Sequence, residues 1–243
     1  MSTPMTPSTP LLPSTLPPAP QATPTRTIIL SLGLISALCG LIIVGSYEGS
    51  LPAVQENRRI ALERAILKVI PGAQRIVGYN ALAGGGIAPA TDGASDSPPP
   101  GAARFNAAYD ASGQLMGIAV EGAAKGYADT VRIMFGYSPK CQCISGIGVV
   151  SMRETPGIGD KIITDPEFLA NFKALDVQLN AELSALANEV VTVKHGSKTN
   201  PWQIDAISGA TITSRAVGKA INESAQKLLP RLLPHLDKIG KNP

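Results

Sequence analysis

Asp205-Ala206-Ile207-Ser208-Gly209-Ala210-Thr211-Ile212-Thr213-Ser214 sets small residues among four hydroxyl side chains, directly ahead of a helical pattern. Val217, Ile221, Ala225, Leu228 and Leu229 recur beyond it at roughly the spacing of one helix face. Gly209 has no Cβ, so the backbone there can bend and lie close to a bulky group. Ala210 keeps the neighbouring wall low. Ser208, Thr211, Thr213 and Ser214 are each able to cap the helix. A helix N-terminus carries partial positive charge and unpaired N–H groups, which favours an anion, and Arg215 adds a formal charge. The segment therefore reads in two ways, as a phosphate-binding turn or as an ordinary helix cap.

Upstream, Val190 to Val193 reads as a strand, and Asp165 to about Ala187 as a helix with Phe168, Phe172, Leu175 and Leu179 on one face. Before these lies a second unusual stretch, Glu154-Thr155-Pro156-Gly157-Ile158-Gly159-Asp160-Lys161. One proline and two glycines make a turn-rich loop whose backbone can approach a flat ligand. Thr155 can donate a hydrogen bond, and Lys161 can neutralise a phosphate or a reduced anion. Glu154 either accepts from a ring N–H or orders the loop. By itself this stretch is also what a surface turn looks like.

Further back, Val131, Ile133 and Phe135 alternate, as do Ile147 and Val149. Phe105, Ala107 and Tyr109 alternate too, then Asp110-Ala111-Ser112-Gly113 turns and Leu115 to Val120 returns as a strand. Residues 83–102, rich in Gly, Ala, Pro and Ser, read as a loop. Short strands in a meander with helices make an α+β domain.

The N-terminal third has a different composition. Residues 1–26 are dominated by Pro, Ser and Thr, which cannot bury a core. Residues 27–47 are almost wholly apolar, and about twenty such residues span a bilayer as a helix. A long tail ahead of the run and no clear cleavage site after it favour a retained anchor over a signal peptide. Residues 48–72 form a membrane-proximal segment. In it Leu62, Ile66, Val69 and Ile70 make an apolar stripe among Arg58, Arg59, Glu63, Arg64 and Lys68, and Pro71-Gly72 ends the helix. The remaining residues, 73–243, form the domain. Lys and Arg counts on either side of the anchor give no orientation.

Composition excludes several classes. A net charge of +3 and 4% aromatic residues argue against nucleic-acid binding. Three cysteines are too few for a disulfide framework, and two histidines cannot build a His-rich metal site. No substrate-activating constellation is evident, so no catalytic residue and no metal ligand is assigned. Cys141-Gln142-Cys143 is the one ambiguous pair. A disulfide across one residue would be strained, and a metal would need ligands from a second protein. Cys39 is a small apolar residue of the anchor. His195 and His235 read as surface residues, and Trp202 as either a neighbour of a bound ligand or a core or lip residue.

The two motifs in this order resemble the FMN-binding domain found in the G subunit of the Rnf ion-translocating electron-transport complex. Gly126-Tyr127 followed by a strand, Ile147-Gly148-Val149, and the layout of anchor, short helix and domain also fit. The C subunit of the Na⁺-translocating NADH:quinone reductase is related and is the close alternative. The resemblance implies FMN bound covalently to Thr211 through a phosphoester, installed by a separate flavin transferase. Ser208, Gly209, Ala210 and Thr213 would shape the phosphate pocket, and Asp205 would join them or serve recognition by the transferase. Glu154, Thr155, Gly157, Ile158 and Lys161 would line the flavin. It further implies a single-pass protein of the cytoplasmic (inner) membrane, its domain on the periplasmic side. There it would relay electrons within a complex that couples transfer between NADH and ferredoxin to Na⁺ or H⁺ movement. The chain would be a redox part of a translocase rather than an enzyme alone. A flavin-binding sensor and a structural tether are the readings from other classes.

Overall fold

The computed structural model describes residues 24–90 and 98–240. Most of the Pro-rich tail and the centre of the 83–102 loop lie outside these residues. The chain divides into two compact units, Met1–Val54 and Gln55–Pro243.

The first unit holds most of the apolar run. Helix α1 (Thr25–Val69) is continuous through Pro52, where the sequence suggests two separate helices. Its early side chains face outward, with Ile29, Leu34, Leu41 and Ile43 each well over half exposed. Among the described residues it is the one helix long and apolar enough to cross a membrane.

The second unit is built on an antiparallel sheet. Its strands are β1 (Arg75–Ala81), β2 (Ile87–Pro89), β3 (Ala103–Tyr109), β4 (Leu115–Lys125), β5 (Thr130–Ser138), β6 (Cys143–Ser151) and β7 (Leu175–Asp176). They pair in the order β2-β1-β3-β4-β5-β6-β7, so the expected meander runs across almost the whole sheet. Strand β2 falls in the segment expected to be loop, pairing Tyr79 with Pro89 and Ala81 with Ile87. The β3–β4 turn forms as the sequence suggests. The Asp110 carboxylate accepts from Ser112 N at 2.8 Å and Gln114 N at 2.9 Å, and Gly113 supplies the left-handed backbone at φ 77°. These bonds hold the Asp110 carboxyl below its usual pKa, the Ser112 hydroxyl contributing most.

After the sheet come two short helices, α2 (Lys161–Thr164) and α3 (Pro166–Ala170). A parallel pair follows, β8 (Val191–Val193) and β9 (Gln203–Asp205), with Val191 opposite Gln203. Helix α4 (Thr211–Leu232) comes next, then a 3-10 turn (Leu233–His235) and α5 (Leu236–Gly240).

The long helix expected over Asp165 to Ala187 does not form. Asp165 caps α3 through Phe168 N at 2.9 Å, and Pro166 fixes its first turn. Asn171 then ends it, its amide donating to Phe168 O at 3.0 Å and its Oδ1 accepting from Asp205 N at 3.1 Å. Asn180 organises a further turn through Ser184 N at 3.0 Å, next to Leu183 at φ 54°. Side-chain bonds to backbone outcompete the helix at these positions. Phe168, Phe172 and Leu175 are nevertheless buried, the two rings edge to face at 5.1 Å.

Strand periodicity sends alternate residues to the two faces of the sheet. Val120, Ile133, Phe135 and Tyr137 face α4 and join Val217, Ile221, Leu228 and Leu229 in the main core. Ala108, Ala119 and Met134 face the other way, against Ala65, Ile66 and Val69 at the end of α1.

Candidate functional site

The site begins where β9 gives way to α4. The helix N-cap is Ala210, at φ −117° and with no side-chain cap. The expected cap by one of the four hydroxyls is therefore corrected, and two of the four have another task. Ser214 is fully buried one turn inside the helix. Its Oγ donates to Ala210 O at 2.9 Å and accepts from Ile207 N at 3.1 Å, which closes the turn from within. Thr213 is also buried, and its Oγ1 donates to Glu154 Oε2 at 2.8 Å. That leaves Ser208, which is exposed, and Thr211, which is half-buried as the first helical residue. Gly209 lies between them at φ 83°, a left-handed conformation that L side chains rarely adopt, with open space where a Cβ would stand. With no side-chain oxygen at its cap, the helix start keeps the positive end of its dipole without a capping side chain.

The second motif lies beside the first, and Glu154 joins them. Its Oε1 accepts from Ala128 N at 3.2 Å and Asp129 N at 3.4 Å, while Oε2 takes the Thr213 hydroxyl. Both oxygens are thus used in ordering the loop. Two glycines make room for this side chain: a Cβ at Gly159 would stand 2.6 Å from Glu154 Cβ, and one at Gly126 would collide with Oε1. The loop itself is a tight turn, Thr155 O accepting from Ile158 N at 3.2 Å and Gly159 N at 2.9 Å. It presents Thr155, Gly157, Ile158 and Lys161 to the surface, with Ile158 48% exposed and Gly157 at φ 75°. Lys161 opens α2.

Asp205 organises the loop ahead of β9. Its carboxylate accepts from Gly196 N at 2.9 Å and Ser197 N at 3.3 Å. His195 lies above it, Nδ1 3.1 Å from Ala206 O and 3.7 Å from Asp205 Oδ2. Lys198 donates to Asn171 Oδ1 at 3.1 Å, and burial lowers its pKa against the opposing pull of Asp205. A cavity of about 270 Å³ opens here, lined by Lys161, Asp165, Phe168, His195, Asp205 and Ser208. His195 is exposed as expected, yet it faces this cavity. The sequence gives no sign of that, because the contact depends on the β8–β9 pairing. Trp202 is half-buried in the turn before β9, its carbonyl accepting from Val191 N at 3.4 Å.

The cysteine pair is also corrected. Cys141 and Cys143 form a disulfide with their Cα atoms 5.1 Å apart, Gln142 between them taking φ 51°. Turning one residue left-handed brings the two side chains to the same side. Among the described residues no group of three or more His, Cys, Asp or Glu side chains could hold a metal ion.

Comparison with known proteins gives a consistent result. Residues 126–226 match the family described as FMN-binding domain. The G subunit of an ion-translocating oxidoreductase complex from Methanosarcina acetivorans is 35% identical over 115 residues, 47% of this chain and 53% of that protein. Its counterpart from Shewanella piezotolerans is 29% identical over 82% of this chain and 91% of its own length. The chain thus spans about half the length of the first of these relatives and nearly all of the second. The C subunit of the Na⁺-translocating NADH-quinone reductase from Parabacteroides distasonis shares the fold, with a TM-score of 0.57 and 20% identity over 80% of this chain and 99% of that one.

Proposed function

We propose, from the match of residues 126–226 to the FMN-binding domain family, that FMN is held covalently through a phosphoester to Thr211. We propose further that the chain is the electron-carrying member of an Rnf-type complex. The single observation that carries the attachment is the uncapped start of α4, with Thr211 as its first residue beside the open, left-handed Gly209. A phosphate there meets N–H donors and the positive end of a helix dipole. The residues fit the group: Ser208 and Thr211 carry hydroxyls, Gly209 leaves open space, and Ser208 shares the lining of the neighbouring cavity with the cation of Lys161, although Thr211 itself is outside that lining. When bound, FMN supplies one- and two-electron redox chemistry.

The protein's own work is positional. Glu154 fixes Thr213 and so sets the first turn of α4 against the 154–161 loop. Asp205 holds the 195–198 turn, and that turn carries His195 to the cavity rim. In this reading residues 27–47 span the membrane, 48–72 link, and 73–243 carry the flavin. The Cys141–Cys143 disulfide supports a domain on the outer, oxidising side of an inner membrane, because disulfides seldom persist in a reducing cytosol. Maturation then requires a flavin transferase, and electron transfer between NADH and ferredoxin requires the other members of the complex.

The test is to express the full chain with a flavin transferase and look for fluorescence on a denaturing gel. A fluorescent band is expected that disappears in Thr211→Val and persists in Ser208→Ala. Retention of covalent flavin by Thr211→Val would sink the assignment. A second reading, the C subunit of a Na⁺-translocating NADH:quinone reductase, is favoured by the shared fold. Copurification with ferredoxin-like rather than quinone-reducing proteins separates the two. Absence of flavin, with the transferase active on a control, would leave a tether.

A further inference from the structure

We propose that Cys141–Cys143 is a thiol–disulfide exchange site, a two-electron couple that trades its disulfide with the dithiol of a partner protein. This bond does little for stability. It closes a loop of one intervening residue, so it removes little freedom from the unfolded chain. The hairpin it sits in is already closed by the pairing of Ser138 with Cys143. A cross-link that adds so little to a loop already held by its strands is free to serve as a reactive group.

The two sulfurs are also unequal. Cys141 is exposed, whereas Cys143 is only 7% exposed and paired with β7 opposite Asp176. One sulfur is therefore open to an attacking thiolate and the other is shielded as the leaving group. Lys140, exposed and adjacent in sequence, supplies positive charge that favours thiolates at this tip.

In the exchange, a thiolate of the partner's dithiol attacks Cys141 Sγ, the S–S bond breaks, and Cys143 departs as a thiolate that takes up a proton. The partner's second thiolate then attacks the mixed disulfide, and Cys141 leaves as a thiolate that is protonated in turn. The partner is oxidised to its disulfide, and two electrons and two protons have passed to the cysteine pair.

The pair is wired to the rest of the domain. Gln142 O accepts from Val177 N at 3.2 Å, and Asp176 N donates to Pro201 O at 3.1 Å, directly ahead of Trp202 and β9. Gln142, between the two cysteines, takes φ 51°. Reduction lets that residue return to the right-handed region, which withdraws the carbonyl from Val177.

The experiment uses the full chain in detergent, with Cys39→Ser to remove the free thiol. The probe is a thioredoxin whose second active-site cysteine is replaced by serine, so that a mixed disulfide is trapped. The expected result is an adduct formed without denaturant and mapped by mass spectrometry to Cys141. On reduction with dithiothreitol, hydrogen exchange at Val177 N–H should speed up by about tenfold or more, with β4 amides unchanged. An adduct that appears only in denaturant, or that maps to Cys143, overturns the exchange site. Unchanged exchange at Val177 overturns the coupling. Covalent flavin fluorescence read on the same gel reports the Thr211 assignment separately, so failure of one is distinguishable from failure of the other.

Discussion

The two faces of the sheet are covered by different means. The α4 face is filled with large side chains, Phe105, Phe135, Tyr109 and Tyr137 among them, all essentially inaccessible. The fully buried sheet residues on the face that receives the end of α1 are Ala108, Ala119 and Met134, with glycines at the closest approach. At Gly136 a Cβ would stand 2.7 Å from Val69 O and 2.8 Å from Ser145 Oγ, and the Ser145 hydroxyl donates to Val69 O at 3.3 Å. One face is held by volume, the other by the close approach of a helix backbone. The first face supports α4, whose start carries the proposed flavin attachment. The second fixes the end of the helix that begins as the membrane-spanning candidate. The difference means that loss of packing on the two faces should have different consequences.

The largest effect is expected at Phe135→Ala. Removing a fully buried ring should cost about 3–5 kcal/mol in urea unfolding and should also lower flavin loading, since α4 loses its floor. Ile66→Ala, equally inaccessible, should cost about 2–4 kcal/mol but leave loading unchanged, with protease cleavage near the end of α1 as the sign of release. Equal loss of flavin in both variants would break the comparison. Gly136→Ala should cost about 1–3 kcal/mol by forcing the helix backbone away from the sheet. Glu154→Ala leaves Ala128 N, Asp129 N and the Thr213 hydroxyl without their acceptor. A cost of about 1–3 kcal/mol is expected, together with slower flavinylation measured by fluorescence over time.

The smallest effect concerns Tyr137. Burial pushes its phenol from 10.0 up to about 12. The folded value is raised, so the stabilisation is complete below pH 10 and is lost between pH 10 and about 12, where only the unfolded chain ionises. Tyr137→Phe should flatten the fall in stability over that window, and unchanged alkaline titration would show that the phenol is not responsible.

Most of the fold was legible because strand alternation and helix spacing report burial directly. Phe105-Ala107-Tyr109 and Val131-Ile133-Phe135 lie on the α4 face as their spacing suggests. The Asp165 to Ala187 segment misled because its apolar spacing is helical while Asn171 and Asn180 divert the backbone into turns. Periodicity records which residues are buried and not through how many elements. At the site, the residue types were readable but their division of labour was not. Four hydroxyls in ten residues look equivalent, yet Thr213 and Ser214 are spent on the scaffold, the former on a residue far away in sequence. The roles of Asp205 and His195 depend on a loop whose shape only the parallel β8–β9 pair reveals.

The buried Ser214 hydroxyl carries a consequence for biogenesis. By tying Ile207 N to Ala210 O it shapes the turn with main-chain partners alone. On the proposed reading, the acceptor threonine is displayed on a finished surface before any cofactor arrives. A modifying enzyme would then dock onto a folded domain rather than thread an extended peptide, and it would recognise contour as much as sequence. A ten-residue copy of the motif, cut loose from its helix, should be a poor substrate.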